Sequence, residues 1–151
     1  MKKAQGATEY LIILAIVIII ALIVVGAMGG IPGIGTGARQ RASASFWQTA
    51  DIAIPSYAVE ASDDDMALTL RNNLRNTITS ISGTVNSVAL SCSQTSLSAG
   101  QETSCTVTDV TTCDAGDAYS FDVSITYTDS ETGASYTYTG EGHSLEGKCA
   151  T

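Results

Sequence analysis

The sequence predicts an α+β chain, with a long N-terminal hydrophobic helix followed by a small all-β, immunoglobulin-like sandwich head. Three observations predict it. An unbroken apolar run fills residues 10–25, a Gly-rich stretch follows at 26–37, and Ser, Thr, Val, Ile and Tyr dominate from Ala50 onward. At 151 residues the chain has room for one sizeable core and no second. Hydrophobic residues make up 44% of it, and the apolar run accounts for much of that share, so the remainder is polar and acidic.

The apolar run reads YLIILAIVIIIALIVV and continues with little interruption to residue 28. A helix over 6–28 is expected. Its apolar length of about 28 Å matches one hydrocarbon core. Lys2 and Lys3 precede it, and the positive-inside rule keeps them on the cytoplasmic side with the head outside. A secretory signal has a shorter apolar core of about 7–15 residues. Gly26, Ala27, Gly29 and Gly30 nevertheless supply the small residues such a cleavage site uses. Glu9 fits neither a plain signal nor a plain anchor. It abuts the apolar run, where a carboxylate is costly unless it has a partner or stays solvated.

Lys2-Lys3-Ala4, then Gln5, then Glu9, then the apolar run, form a recognisable pattern. KKAQGATEYLIIL resembles the class III signal peptide of archaeal type IV pilins. Ala7 stands where that family often has Ser, and Ile13 where it often has Leu. The resemblance implies cleavage between Ala4 and Gln5 by a prepilin peptidase, with the apolar segment retained. Residues 1–4 are then a leader, 5–48 the hydrophobic helix and linker, and 49–151 the head. The chemistry of such a cut is informative. It leaves an amine at Gln5 at the end of an apolar helix, and Glu9 can neutralise the amine of a neighbouring copy. An unpaired charge in a dry helix bundle costs several kcal/mol, so the pair sets axial register. If the terminal Gln cyclises, Glu9 turns instead to backbone amides at the helix start.

Residues 26–37, GAMGGIPGIGTG, disfavour helix in water and read as a hinge or as a close-packing segment between helices. Arg39-Gln40-Arg41 returns the chain to water. ARQRASASFWQTA suits a kinked continuation of the helix toward residue 47, with Phe46 and Trp47 capping the interface between stalk and head.

In the head, Tyr119, Phe121, Val123, Ile125 and Tyr127 alternate with polar residues and read as one half-buried strand. Asp129-Ser130-Glu131-Thr132-Gly133 reads as a turn, and Tyr136 and Tyr138 resume the alternation. Earlier strands are expected over 50–59, 66–72 and 76–90, with Gly83 marking a bulge or bend in the last. Val88, Leu90 and Cys92 alternate before the turn Leu97-Ser98-Ala99-Gly100, and Cys105 and Val107 after it. Four cysteines allow three connectivities. Pairing about that turn favours Cys92–Cys105, which leaves Cys113–Cys149 to hold the C-terminal tail. Two disulfides imply an oxidising compartment.

Net charge is −8, and the segment from Asn76 onward carries one basic residue, Lys148. Such a surface repels phosphate backbones, so no nucleic-acid partner is expected. The single histidine, His143, has no second histidine, serine elbow or thiol dyad in its pattern. Asp63-Asp64-Asp65 lacks the spacers of a calcium loop. Glu141 and Glu146 form no recognisable acid–base pair. The expectations are therefore no catalytic residues, no metal and no cofactor.

Taken with the resemblance, the expected function is a structural pilin of an archaeal type IV pilus. After leader cleavage it would polymerise through its helix into a cell-surface filament serving adhesion. Its expected partners are identical subunits, the prepilin peptidase and the assembly machinery, with the precursor held in the cytoplasmic membrane. The alternative is a single-pass membrane-anchored protein with an extracellular β-sandwich binding domain.

Overall fold

The structure, a computed structural model, describes the backbone of residues 2–27 and 34–151, and the side chains of residue 6, 8–24 and 37–151. Among the described residues two helices, α1 (Lys2–Ala27) and α2 (Ile34–Thr49), precede ten strands. The strands are β1 (Ile52–Val59), β2 (Met66–Asn72), β3 (Ile78–Val85), β4 (Val88–Ala89), β5 (Ser91–Cys92), β6 (Glu102–Val107), β7 (Ala118–Phe121), β8 (Val123–Asp129), β9 (Ser135–Tyr138) and β10 (Leu145–Lys148). The chain is mostly antiparallel sheet. Residues 1–38 and 39–151 form two compact units.

The predicted fold class needs correction. No helix among the described residues is long and apolar enough to cross a membrane. Among the described residues the expected long N-terminal hydrophobic helix is not found, and the α+β class built on it gives way to a chain that is mostly antiparallel sheet. Beyond residue 33 the chain is helical again, in α2, over the segment where the continuation toward residue 47 was expected. Gly29, Gly30, Pro32 and Gly33 lie between the two helices, and such residues oppose helix propagation. Of the expected hinge at 26–37, residues 28–33 lie outside the described residues.

Two four-stranded sheets, ordered β1-β2-β6-β5 and β4-β3-β8-β9, share one hydrophobic core, and a two-stranded sheet pairs β10 with β7. Period-two alternation explains most of this. Met66, Leu68 and Leu70 in β2 face the same core as Val123, Ile125 and Tyr127 in β8. The expected single strand over 119–127 is divided at Asp122. Its first half pairs with β10, and its second half with β3 and β9. The expected strand over 76–90 is also divided, by a two-residue turn at Asn86 and Ser87. Both residues have positive φ, the geometry of a hairpin turn that matches strand twist. Gly83 is no bulge. The register shift falls between Thr79 and Ser82, while Gly83 lies in regular pairing opposite Ile125. A Cβ at Gly83 would land on the Ser124 carbonyl.

The second unit begins at Arg39, earlier than the expected 49, because α2 supplies core. Ser43, Trp47 and Ala50 are buried and Phe46 is half-buried. Their spacing places them on one helix face.

Candidate functional site

The described side chains of α1 present an unusual surface. Thirteen large apolar residues, from Tyr10 to Val24, are each 41–66% exposed. At 100° per residue they point in every direction, so no single stripe is set aside for an intramolecular partner. A helix that is apolar all round requires apolar surroundings. Covering half-exposed side chains of this number stabilises an assembly by on the order of 10–20 kcal/mol before the costs of association. Glu9 and Gly6 are exposed at the N-terminal end of this surface. Ala4 and Gln5, expected to flank the leader cut, lie within α1 by backbone, and their side chains are outside the described ones.

In the second unit, α2 is fixed to the sheets by polar contacts as well as by Trp47. The Trp47 Nε1 donates to the Ser144 carbonyl at 3.2 Å. Ser43 Oγ donates to the same carbonyl at 2.8 Å and accepts from the Glu146 N–H at 3.0 Å. Tyr57 Oη lies 3.3 Å from Ser43 Oγ and donates to the Glu146 carbonyl at 2.9 Å. Burial pushes the Tyr57 phenol above its ordinary pKa, against the lowering effect of the Ser43 hydrogen bond, and the Glu146 charge adds to the rise. Gly140 has φ +69°, and the Trp47 ring occupies the space a Cβ there would take. Trp47 also meets Phe46 and Tyr138 edge-on at centroid distances of 5.4 and 6.1 Å. Sequence reading placed Phe46 and Trp47 at this junction and missed Ser43. The signal was its i, i+4 spacing from Trp47.

Both disulfides are present. Cys92 and Cys105 stand directly opposite in the β5–β6 pair with Cα atoms 4.0 Å apart. Cys113 and Cys149 are joined across 6.3 Å, beside the Ala150 N–H bond to the Val59 carbonyl. Together they tie the tail to the sheet edge at β1.

The remaining candidates are occupied by structural tasks. His143 is exposed and stacks on Phe46 at 3.9 Å. Asp64 Oδ1 accepts the Cys113 N–H and Asp65 Oδ1 accepts the Asp109 N–H, so two members of the aspartate run stitch neighbouring loops. Glu141 sits in a one-turn 3-10 segment, Gly140–Gly142, with φ +51°. Asp129 accepts from Asn76 Nδ2 at 2.9 Å and from the Glu131 and Thr132 N–H groups, and these bonds hold its carboxyl below the ordinary range. Among the described residues no group of three or more His, Cys, Asp or Glu is placed to hold a metal ion. The ion pair between Arg71 and Glu102, 3.6 Å apart and partly exposed, contributes at most about 1 kcal/mol.

No family model, no curated protein and no solved structure matches this chain.

Proposed function

We propose that this chain is a structural subunit of a cell-surface filament of the archaeal type IV pilin kind. The observation that carries the proposal is the all-round exposure of the apolar side chains of α1, directly after the Gln5 and Glu9 pattern. In this reading a peptidase cuts ahead of Gln5, and copies of the chain bury α1 against one another. The disulfide-braced second unit faces the exterior, where an oxidising environment keeps both bridges closed. Glu9 then meets the new amine of a neighbouring copy, and the filament serves attachment. The partners are identical subunits together with the peptidase and assembly machinery.

The test is intact mass with N-terminal sequencing of the protein from native cells, followed by microscopy. A chain starting at Gln5, or at its cyclised form, with α1 retained and filaments visible, is the expected result. A start at Met1, or one near residue 30, overturns the proposal. Glu9→Ala is expected to abolish filaments, and intact filaments from this variant would remove the register role of Glu9.

A further inference from the structure

The strand β9 lies at the edge of its sheet, and its unpaired side follows from the hairpin geometry. The Asp129 N–H donates to the Ala134 carbonyl at 2.9 Å. Bonded and non-bonded pairs alternate along an antiparallel ladder. Tyr127–Tyr136 and Ile125–Tyr138 are therefore bonded pairs, and Thr128–Ser135 and Thr126–Thr137 are non-bonded. Hydroxyl contacts of 3.0 Å between Thr128 and Ser135, and 3.1 Å between Thr126 and Thr137, agree with the closer approach of non-bonded pairs. The N–H and C=O groups of Ser135 and Thr137 consequently face away from β8. Among the described residues no other backbone group takes them up.

Natural edge strands are defended by charge, proline, a bulge or a cover. The sequence Ser-Tyr-Thr-Tyr of β9 has no charge and no proline, and its register with β8 is unbroken. The other edges of the two four-stranded sheets differ. β4 and β5 are two residues long, and β1 is flanked by β10 and by the Glu60–Ala150 bridge. Tyr136 adds an apolar element. It packs against Tyr127 at 5.8 Å on one side and is 49% exposed.

We propose that the edge of β9 is a self-pairing surface whose partner is β9 of a second copy of this chain. An antiparallel arrangement about a two-fold axis through Tyr136 sets Ser135 opposite Thr137 of the second copy, and the reverse. All these residues present outward N–H and C=O groups, so each such pair exchanges both of its hydrogen bonds. The two Tyr136 side chains meet at the intervening non-bonded position, about 4.5 Å apart at Cα, and extend the Tyr127–Tyr136 row across the junction. The same edge serves both copies, which is the requirement for an isologous contact. A four-residue edge buries far less than the ~1,200 Å² of a stable dimer, so single contacts are weak and become effective where many heads are held close.

The inference concerns the second unit alone and does not require the filament reading. Its test therefore uses the full chain in a detergent that sheathes α1. With Tyr136→Cys and copper–phenanthroline oxidation at high protein concentration, a covalent dimer is expected at five times or more the yield of the Thr106→Cys control. Thr106 is exposed on the opposite sheet, and the native cysteines are all paired. Register is tested by charge in the Tyr136→Cys background. Ser135→Lys with Thr137→Glu places opposite charges across the axis, and is expected to raise the yield at least threefold. Ser135→Lys with Thr137→Lys places like charges there and is expected to reduce the yield to that of the control. The same two charge pairs with Tyr136 retained are compared by sedimentation, which needs no new cysteine. Cross-linking no better than the control, or indifference of both readouts to the charge pattern, overturns the proposal.

Discussion

Replacing Trp47 by Ala tests whether α2 belongs to the fold of the second unit or merely leads into it. Trp47 is fully buried, contacts Phe46 and Tyr138 edge-on, and donates to the Ser144 carbonyl. Truncating a buried aromatic side chain of this size to Ala costs about 3–5 kcal/mol, through lost transfer energy and a residual cavity. The Ser144 carbonyl keeps the Ser43 hydroxyl, so the lost Nε1 bond adds only about 1 kcal/mol. The expected total is about 4–6 kcal/mol, a large part of the ~5–15 kcal/mol that stabilises a domain. Trp47→Phe keeps one ring and loses the donor, and is expected to cost about 2 kcal/mol. The assay is urea unfolding of the full chain in detergent, followed by near-ultraviolet circular dichroism. A single tryptophan makes emission a second probe in the parent chain, with a blue-shifted maximum while α2 is docked. A cost below about 1 kcal/mol for Trp47→Ala would refute the reasoning, since a side chain so placed cannot be removed that cheaply if the helix is part of the core.

Two further outcomes follow from the same structure. Loop-closure entropy assigns about 4 kcal/mol to Cys113–Cys149, which spans 36 residues, and about 3 kcal/mol to Cys92–Cys105, which spans 13. Replacing each pair by Ser is thus expected to lower the urea midpoint in that order, and the reverse order would point to local packing instead of chain entropy. Alkaline pH is expected to destabilise the second unit: burial first, and then the charge of Tyr57, push the Tyr119 phenol up to about 12. An unfolded tyrosine ionises near pH ~10, so this contribution is complete below that value and is lost as pH rises from about 10 to about 12. Melting temperature measured across that window should fall less steeply in Tyr119→Phe than in the parent.

The strands were legible where alternation is long and clean. β1, β2 and β6 carry enough core-facing residues to announce themselves, and the Cys92–Cys105 bridge follows from strand register. Where a boundary depends on one residue, the pattern was silent. Asp122 continues the polar phase of the 119–127 alternation, yet it is the point at which the strand leaves one sheet for another. Asn86 and Ser87 form a hairpin turn without the usual glycine, so the hydrophobic count ran straight through them. The apolar run announced a helix, but composition alone overestimated what that helix is. Along α2 and the residue that follows it, Ser43, Phe46, Trp47 and Ala50 recur at helical spacing, but two arginines and several serines mask the stripe in any average over the segment. The edge of β9 was illegible for a different reason. Which backbone groups face outward depends on hydrogen-bond parity set by the turn at 129–133, and side-chain identity carries no trace of it.

The Cys113–Cys149 bridge has a consequence for durability. It closes a covalent hoop around β7, β8, β9 and β10. A turn with Ser130, Glu131, Thr132 and Gly133 all exposed lies inside the hoop. Such tips are where proteases nick folded domains. A cut there opens the hoop without shedding a fragment, because both new ends remain joined through sulfur and stay threaded into the sheets. The surface can be damaged at this turn and still keep every strand attached.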